Sequence, residues 1–357
     1  MDEIWMLGAT GRTGRAIAAR LATSGRPPVL VGRDRDRLRA VADEVGGAAR
    51  VVVAQSLGAA AGMLAAAEPA VVVNTVGPFA RNMPLVAGAL PDGSHYVDLT
   101  NEIAAVSGLL ARHEEAAARG QCLVAGAGFG VFGAESVVRW LCAGRPPAER
   151  VRVDAVPAVV SEPGRLGEAL AASVVGGIAL GGRRYEHGRL VRAPFGGDTE
   201  RFTLPDGTPV RTGAVPFGDL EVAHRASGAP FAVAASSAAP TGHAARAAVA
   251  VASALLARPR IAAFATRRLA RVPTRAGQPG REHSWVRARV TEAGGAVREG
   301  WLRAGEGMAF TADVAAEVAL RLARGEGTPG AHTPGALFGP GLAEKAGGVF
   351  LAGGAGS

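Results

Sequence analysis

Lysine is almost absent from this chain of 357 residues. Lys345 is the single lysine among 39 basic residues, and all the others are arginine. A Walker A loop requires a lysine after its glycines, and a Schiff-base enzyme requires a reactive lysine. The Tyr-x-x-x-Lys pair of short-chain dehydrogenases would need a tyrosine at position 341, where the sequence has glycine. Because Lys345 lies in a Gly-rich tail, we expect none of these three chemistries.

Cysteine and metal-binding motifs are also scarce. The 2 cysteines, Cys122 and Cys142, lie far apart in apolar stretches. A structural zinc site needs more ligands at closer spacing, and no His-Glu-x-x-His motif occurs. The sequence therefore predicts two buried thiols and no metal site.

Aromatic side chains make up only 5% of the chain, although its net charge is +8. A basic protein that binds nucleic acid usually carries a recognition motif or aromatic residues among its arginines. Here the arginines are spread along the chain without such a motif. We therefore expect no nucleic-acid partner.

Long apolar runs are missing as well. The apolar run over residues 169–182 is too short and too rich in glycine to span a bilayer. The N-terminus has no basic segment before its first apolar run, so we expect no signal peptide. Together these features predict a cytoplasmic protein without a membrane span.

What is present is a regular alternation of short apolar strands and Ala-rich helices over residues 1–145. This alternation predicts a parallel α/β sheet of the Rossmann type. Residues 146–305 carry hairpin signals, such as Asp206-Gly207 and Gly294-Gly295, and predict an α+β domain with a largely antiparallel sheet. This domain would serve for substrate binding or dimerisation. Residues 306–357 are expected to form a helix and tail that return to the first domain.

A glycine-rich turn follows the first strand and opens the first helix. Gly8, Gly11 and Gly14 have the spacing that lets a backbone approach a pyrophosphate, and the helix N-terminus would supply N–H groups to the anion. The turn predicts a dinucleotide site. Its expected cofactor-binding residues are Gly8, Thr10, Gly11, Arg12, Thr13 and Gly14.

The end of the second strand distinguishes NADP from NAD. Arg33 follows this strand, and a guanidinium suits the 2′-phosphate of NADP. Arg12 would approach the same phosphate. Asp34 comes next and would serve the ribose hydroxyls of NAD instead. We favour NADPH/NADP as the cofactor.

Two further strands end in polar motifs. The first motif is expected to line the dinucleotide through Asn74, Val76, Gly77 and Pro78. The second motif contains Tyr96 and Asp98 and continues through Thr100 to Glu102. These side chains would orient a substrate or hold an acid, or Thr100 to Glu102 would simply cap the following helix.

Taken together, four motifs resemble the saccharopine dehydrogenase-like oxidoreductase family, which includes actinobacterial trans-acting enoyl reductases. The motifs are the segments 8–14, 32–33, 74–79 and 96–102, and segments 311–312 and 333–339 also resemble the family. The resemblance implies a Rossmann domain, an inserted α+β domain, and reduction of an imine or a C=C bond. One loop departs from the family pattern, because Gly130 and Gly133 stand where an aspartate and a proline are usual.

The sequence does not decide which residue donates the proton. Tyr185, His187, Tyr96 and Asp98 are the candidate catalytic residues. Tyr185 and His187 are expected on the same side of one strand, or they belong to a surface hairpin of mixed polar residues without a catalytic role. The predicted function is an NADPH-dependent reductase of a small-molecule substrate, free or delivered by a carrier protein in a biosynthetic route. The alternative is a non-catalytic NADP(H)-binding sensor or scaffold. A homodimer through the antiparallel sheet is the ordinary expectation for such a protein.

Overall fold

The computed structural model describes residues 3–161, 163–277 and 280–353. The strands, in chain order, are β1 (Ile4–Leu7), β2 (Val29–Gly32), β3 (Val51–Val53), β4 (Val71–Asn74), β5 (His95–Asp98), β6 (Cys122–Val124), β7 (Arg150–Val156), β8 (Gly164–Arg165), β9 (Arg183–Glu186), β10 (Arg189–Arg192), β11 (Glu200–Thr203), β12 (Pro209–Ala214), β13 (Phe231–Ser236), β14 (Pro273–Thr274), β15 (Ser284–Thr291), β16 (Val297–Ala304), β17 (Gly330–His332) and β18 (Val349–Ala352).

Helices connect most of these strands. They are α1 (Arg12–Thr23), α2 (Arg35–Glu44), α3 (Leu57–Ala67), α4 (Phe79–Gly88), α5 (Ile103–Leu110), α6 (His113–Ala118), α7 (Phe129–Cys142), α8 (Glu168–Leu180), α9 (Gly218–Ser227), α10 (His243–Leu256), α11 (Pro259–Ala270), α12 (Gly307–Ala323), α13 (Pro334–Phe338) and α14 (Gly341–Lys345).

The chain divides into two compact units. Unit 1 contains Met1–Phe129 and Met308–Phe338, and unit 2 contains Gly130–Gly307 and Gly339–Ser357. The predicted domain limits at 145 and 305 differ from this division. The predicted C-terminal segment is itself divided, because β17 joins the sheet of unit 1 while β18 pairs with β16 in unit 2.

Unit 1 is built on a parallel sheet of 7 strands in the order β17-β6-β5-β4-β1-β2-β3. All four residues of β1 and all four of β4 are buried. Continuous apolar strands of this kind are expected where a parallel sheet is covered by helices on both faces. The predicted Rossmann sheet is confirmed.

Unit 2 contains a second sheet in the order β10-β9-β13-β7-β15-β16-β18, and β12 and β11 extend it beside β13. Most of its neighbouring strands run antiparallel, and the β13–β7 pair is parallel. Trp285 and Trp301 pack with Val156 in a small apolar cluster of this unit. The predicted α+β architecture with a largely antiparallel sheet is confirmed.

The last long helix begins earlier than its sequence suggests. Thr311 resembles a helix cap, but α12 begins at Gly307 and Thr311 lies inside it. The hydroxyl of Thr311 instead accepts a hydrogen bond from the backbone N–H of Phe129 at 3.1 Å. Thr311 therefore ties α12 to the first residue of α7.

Within the described ranges, no single helix is long and apolar enough to cross a bilayer, although α10 and α11 together reach that composition across a bend of 118°.

Candidate functional site

The strand order of unit 1 creates a crevice beside β1. Chain order runs outward from β1 through β2 and β3 on one side, and through β4, β5 and β6 on the other. Leu7 and Asn74, the last residues of β1 and β4, lie side by side in register. Open parallel α/β sheets bind ligands at the carboxyl ends of the strands where the order reverses. The glycine turn and the segment from Asn74 to Pro78, which we call the Asn74 segment, therefore meet at this switch point.

Two glycines of the turn occupy positions that no other residue fits. Gly8 has a φ of +80°, and a Cβ on it would lie 2.4 Å from the Thr75 hydroxyl oxygen. A Cβ on Gly14 would lie 2.4 Å from the carbonyl oxygen of Gly8. The turn is closed by a hydrogen bond of 3.0 Å from the Gly11 N–H to the same carbonyl. This tight turn places the start of α1 directly behind β1.

The N-terminus of α1 has the character of an anion site. Gly11 is the N-cap residue and offers no side-chain cap, and the first turn contains no acidic residue. Thr10, Arg12 and Thr13 are half-buried beside it. An uncapped helix N-terminus behind a glycine turn favours a phosphate group. The residues present therefore fit the pyrophosphate of a dinucleotide.

Arg33 and Asp34 have different surroundings at the end of β2. Arg33 follows β2 directly and its side chain is exposed. Asp34 is the N-cap residue of α2, and its carboxylate accepts hydrogen bonds of 3.1 Å from the backbone N–H groups of Asp36 and Arg37. Because Asp34 already caps a helix, the side chain that remains at the strand end is the Arg33 guanidinium.

The Asn74 segment combines one buried polar side chain with a partly exposed turn. Asn74 is fully buried, donates from Nδ2 to the Tyr96 hydroxyl at 3.0 Å, and accepts the Val76 N–H at 3.0 Å. Its side chain therefore holds the turn, and its contact with a dinucleotide stays a prediction. Val76, Gly77 and Pro78 follow at partly exposed positions, and Pro78 is the N-cap residue of α4.

Tyr96 and Asp98 lie inside unit 1. Both are fully buried, and the Tyr96 hydroxyl donates to Asp98 Oδ2 at 3.0 Å. Asp98 Oδ1 accepts the backbone N–H groups of Thr100 and Gly126. Burial raises the pKa of Asp98 to about 6 and raises the pKa of Tyr96 well above its ordinary value. These contacts favour a positioning role for the pair, and their catalytic role stays a prediction.

Glu102 has a role that sequence reasoning missed. Its carboxylate accepts the backbone N–H groups of Phe79 at 2.8 Å and Ala80 at 2.9 Å, at the start of α4. Thus Glu102 caps a helix that precedes it in the chain, whereas it makes no side-chain cap at α5. The only available signal was its position after β5, the strand beside β4.

Tyr185 and His187 both belong to unit 2, but they do not share one strand. Tyr185 lies on β9, whereas His187 and Gly188 form the two-residue turn between β9 and β10, with φ values of +49° and +73°. The expectation that both face the same side of a strand was therefore wrong. The overlooked signal is the glycine after His187, because two residues with positive φ form the favoured turn of a β-hairpin.

The hydroxyl of Tyr185 is engaged within unit 2. It donates to the Glu221 carboxylate, and the ring stacks on His224 with 3.9 Å between the ring centroids. Glu221 also accepts a hydrogen bond from Arg225 at 2.6 Å. Burial and the neighbouring carboxylate raise the pKa of Tyr185. The ring of His187 lies against Phe231, with 4.7 Å between centroids.

Metal ligands are not grouped in the part of the chain that the structure describes, where no cluster of three or more His, Cys, Asp or Glu could hold an ion. Cys122 is buried, and burial raises the pKa of its thiol to about 12. Cys142 is only half-buried, so the prediction of two buried thiols is correct for Cys122 alone.

Known proteins resemble this chain at two levels, over part of its sequence and in its fold. No family model matches the chain. A trans-acting enoyl reductase of Mycobacterium ulcerans is 37% identical over 135 residues, which are 36% of this chain and 32% of that protein. A putative trans-acting enoyl reductase of Mycobacterium tuberculosis is 34% identical over 134 residues, with the same shares. The chain therefore matches about a third of the length of these relatives.

The second comparison covers the whole chain. Apo saccharopine dehydrogenase (L-Glu forming) from Saccharomyces cerevisiae superposes with a TM-score of 0.60 over 99% of this chain and 100% of that one, at 11% sequence identity. The chain has the saccharopine dehydrogenase fold. The resemblance predicted from the sequence motifs is thereby confirmed at the level of the fold. At this identity the saccharopine dehydrogenase fold carries no substrate assignment.

Proposed function

We propose that this chain is an NADPH-dependent reductase that acts on a C=C or C=N bond of a small-molecule or biosynthetic intermediate. The observation that carries the proposal is the crevice at the β1–β4 switch point. There, a glycine turn and an uncapped helix N-terminus face the end of β2, where Arg33 is exposed. Anion-binding backbone and an adjacent guanidinium match a pyrophosphate and a 2′-phosphate on one ligand.

Different residues of unit 1 would bind different parts of this cofactor. The turn from Gly8 to Gly14 would hold the pyrophosphate, with Thr10, Arg12 and Thr13 beside it. Arg33 would bind the 2′-phosphate, because Asp34 is committed to α2. Val76, Gly77 and Pro78 would line the crevice, with Asn74 supporting them from below. The bound nicotinamide would supply a hydride to the substrate.

We infer that an enoyl group is the first substrate class to test. The support is the name that the mycobacterial relatives share, trans-acting enoyl reductase. An imine is the second class, because it is the other acceptor that the resemblance of the sequence motifs implies. A carrier-bound thioester and a role in secondary metabolism belong to the same proposal.

The test of this proposal is turnover with a panel of acceptors. NADPH oxidation is followed by absorbance with an enoyl thioester, with a cyclic imine, and without acceptor. We expect acceptor-dependent oxidation by the wild type.

The variants Tyr185→Phe and His187→Asn test the two predicted proton donors of unit 2. Replacing a true donor lowers kcat by roughly 100-fold or more, while NADPH binding is unchanged.

A second candidate function is an NADP(H)-binding sensor or scaffold. It is favoured by one observation, which is that both candidate acids of unit 1, Tyr96 and Asp98, are fully buried. In that case the chain binds NADPH and NADP⁺ with different affinities, and no acceptor is reduced. Such a result would contradict the reductase proposal and leave the cofactor site intact.

A further inference from the structure

One long segment of this chain contains no acidic residue. Between Glu221 and Glu282 the sequence has nine arginines and no aspartate or glutamate, out of 39 basic and 31 acidic residues in the chain. The rest of the chain therefore carries one more acidic than basic residue. The net charge of +8 comes entirely from this segment. The absence of acids, not the spacing of the arginines, makes the segment distinctive.

Two helices of this segment, α10 and α11, lie at the surface of unit 2. Neither α10 nor α11 contains a single buried residue. One side of each helix packs on α8, for example through the hydrogen bond of Ser253 to the Ala179 carbonyl at 3.5 Å. The opposite sides face solvent in unit 2.

The exposed side of α11 combines an aromatic ring with arginines. Phe264 is 58% exposed. Residues three, four or seven positions apart share one helix face, so Arg260, Arg267, Arg268 and Arg271 surround Phe264 on its own face. These four arginines are exposed and form no ion pair within the described ranges. An unpaired cluster of this kind attracts anions.

Exposed apolar side chains are concentrated on the same helical layer. Of the twelve large apolar side chains that are exposed in the described part of the chain, six lie on or directly after α8, α10 and α11. They are Leu170, Val174, Val251, Leu255, Phe264 and Val272. We call Val251, Leu255, Phe264 and these four arginines, which lie on α11 and at its C-terminal cap, the α10–α11 surface.

We propose that the α10–α11 surface binds an anionic lipid membrane. Basic helices with an exposed apolar face lie in the bilayer interface, where arginine side chains reach the phosphates while the apolar side chains enter the acyl boundary. A cluster of four arginines on such a helix suits acidic headgroups. The surface would hold the protein at a membrane without crossing it.

Charge complementarity favours an anionic membrane over a second copy of the chain and over nucleic acid. A second copy of the chain would bring two unpaired arginine clusters together, and like charges repel. Nucleic acid would satisfy the arginines but would leave Val251, Leu255 and Phe264 without an apolar partner. An anionic bilayer accommodates both the charge and the apolar side chains.

The test is co-sedimentation of the full chain with lipid vesicles. One vesicle is pure phosphatidylcholine, and the other contains about one third phosphatidylglycerol. A triple variant, Arg267→Gln, Arg268→Gln and Arg271→Gln, is compared with a matched triple on α2, Arg35→Gln, Arg37→Gln and Arg39→Gln. We expect salt-sensitive binding to the anionic vesicle alone. The α11 triple should weaken it by roughly 100-fold, from about 1 kcal/mol per arginine, and the α2 triple should not.

A fluorescence measurement keeps the test independent of vesicle aggregation. In Phe264→Trp, the new indole should shift its emission to shorter wavelength with anionic vesicles and keep it with neutral ones. Several outcomes overturn the proposal. These are equal binding to both vesicles, no binding, an equal loss in both triples, a dimer in solution that the Phe264→Ser variant dissociates, or retention by duplex DNA without any vesicle binding.

Discussion

At the scale of single residues, the glycine turn was predictable because its residue type has one physical role there. Gly8 and Gly14 were predicted because a backbone that turns this tightly has no room for a side chain. The position of Arg33 at the end of β2 was also predictable, whereas its contact with a 2′-phosphate stays a prediction. The roles of Asn74, Tyr96 and Glu102 were not predictable, because their partners lie on neighbouring strands or helices that only the folded sheet brings together.

A matched pair of glycine substitutions tests the turn. In Gly14→Ala, the added Cβ would lie 2.4 Å from the Gly8 carbonyl oxygen, whereas a Cβ on Gly62 in α3 would meet nothing within 4 Å. We expect Gly14→Ala to lose about 1 to 3 kcal/mol of unfolding free energy and at least about tenfold in NADPH affinity. Gly62→Ala should gain about 0.5 to 1 kcal/mol with unchanged affinity.

Denaturant unfolding and calorimetric titration measure the two quantities. If Gly14→Ala binds NADPH as tightly as Gly62→Ala does, the turn does not approach the pyrophosphate.

At the scale of elements, periodicity identified the strands better than the ends of the helices. The parallel strands of unit 1 are short apolar runs, and burial on both faces makes such runs visible in a sequence. The start of α12 is not evident from the sequence, because Thr311 resembles a helix cap but lies inside the helix, where its hydroxyl accepts the Phe129 N–H. His187 was expected on the same strand as Tyr185, but its positive φ places it in the turn between β9 and β10.

The cap that Glu102 provides for α4 can be tested by one substitution. Glu102→Gln keeps the shape of the side chain, but it removes the charge and replaces one acceptor oxygen with a donor that faces a backbone N–H. We expect a loss of about 1 to 2 kcal/mol of unfolding free energy. The control is Glu115→Gln, which breaks an exposed ion pair with Arg112 and should cost less than about 0.5 kcal/mol. Equal losses in the two variants would show that Glu102 does not cap α4.

At the scale of the whole molecule, the fold was predictable and the use of its surface was not. The order of the motifs predicted a Rossmann sheet with an inserted α+β region, and the full-length superposition on saccharopine dehydrogenase agrees. The net charge was first interpreted as a scattered excess of arginine. The positive charge comes from one segment without acidic residues. This becomes informative only because α10 and α11, which belong to that segment, contain no buried residue.

The most direct measurement is a paired titration of NADPH and NADH into the wild type, Arg33→Ala and Arg39→Ala. Arg39 is an exposed arginine of α2 and serves as the control. The account predicts that NADPH binds the wild type at least about tenfold more tightly than NADH, about 1.4 kcal/mol. Arg33→Ala should lose the preference for NADPH and keep its NADH affinity. Arg39→Ala should keep the preference for NADPH. Binding of neither cofactor to the wild type, or tighter binding of NADH, would contradict the account.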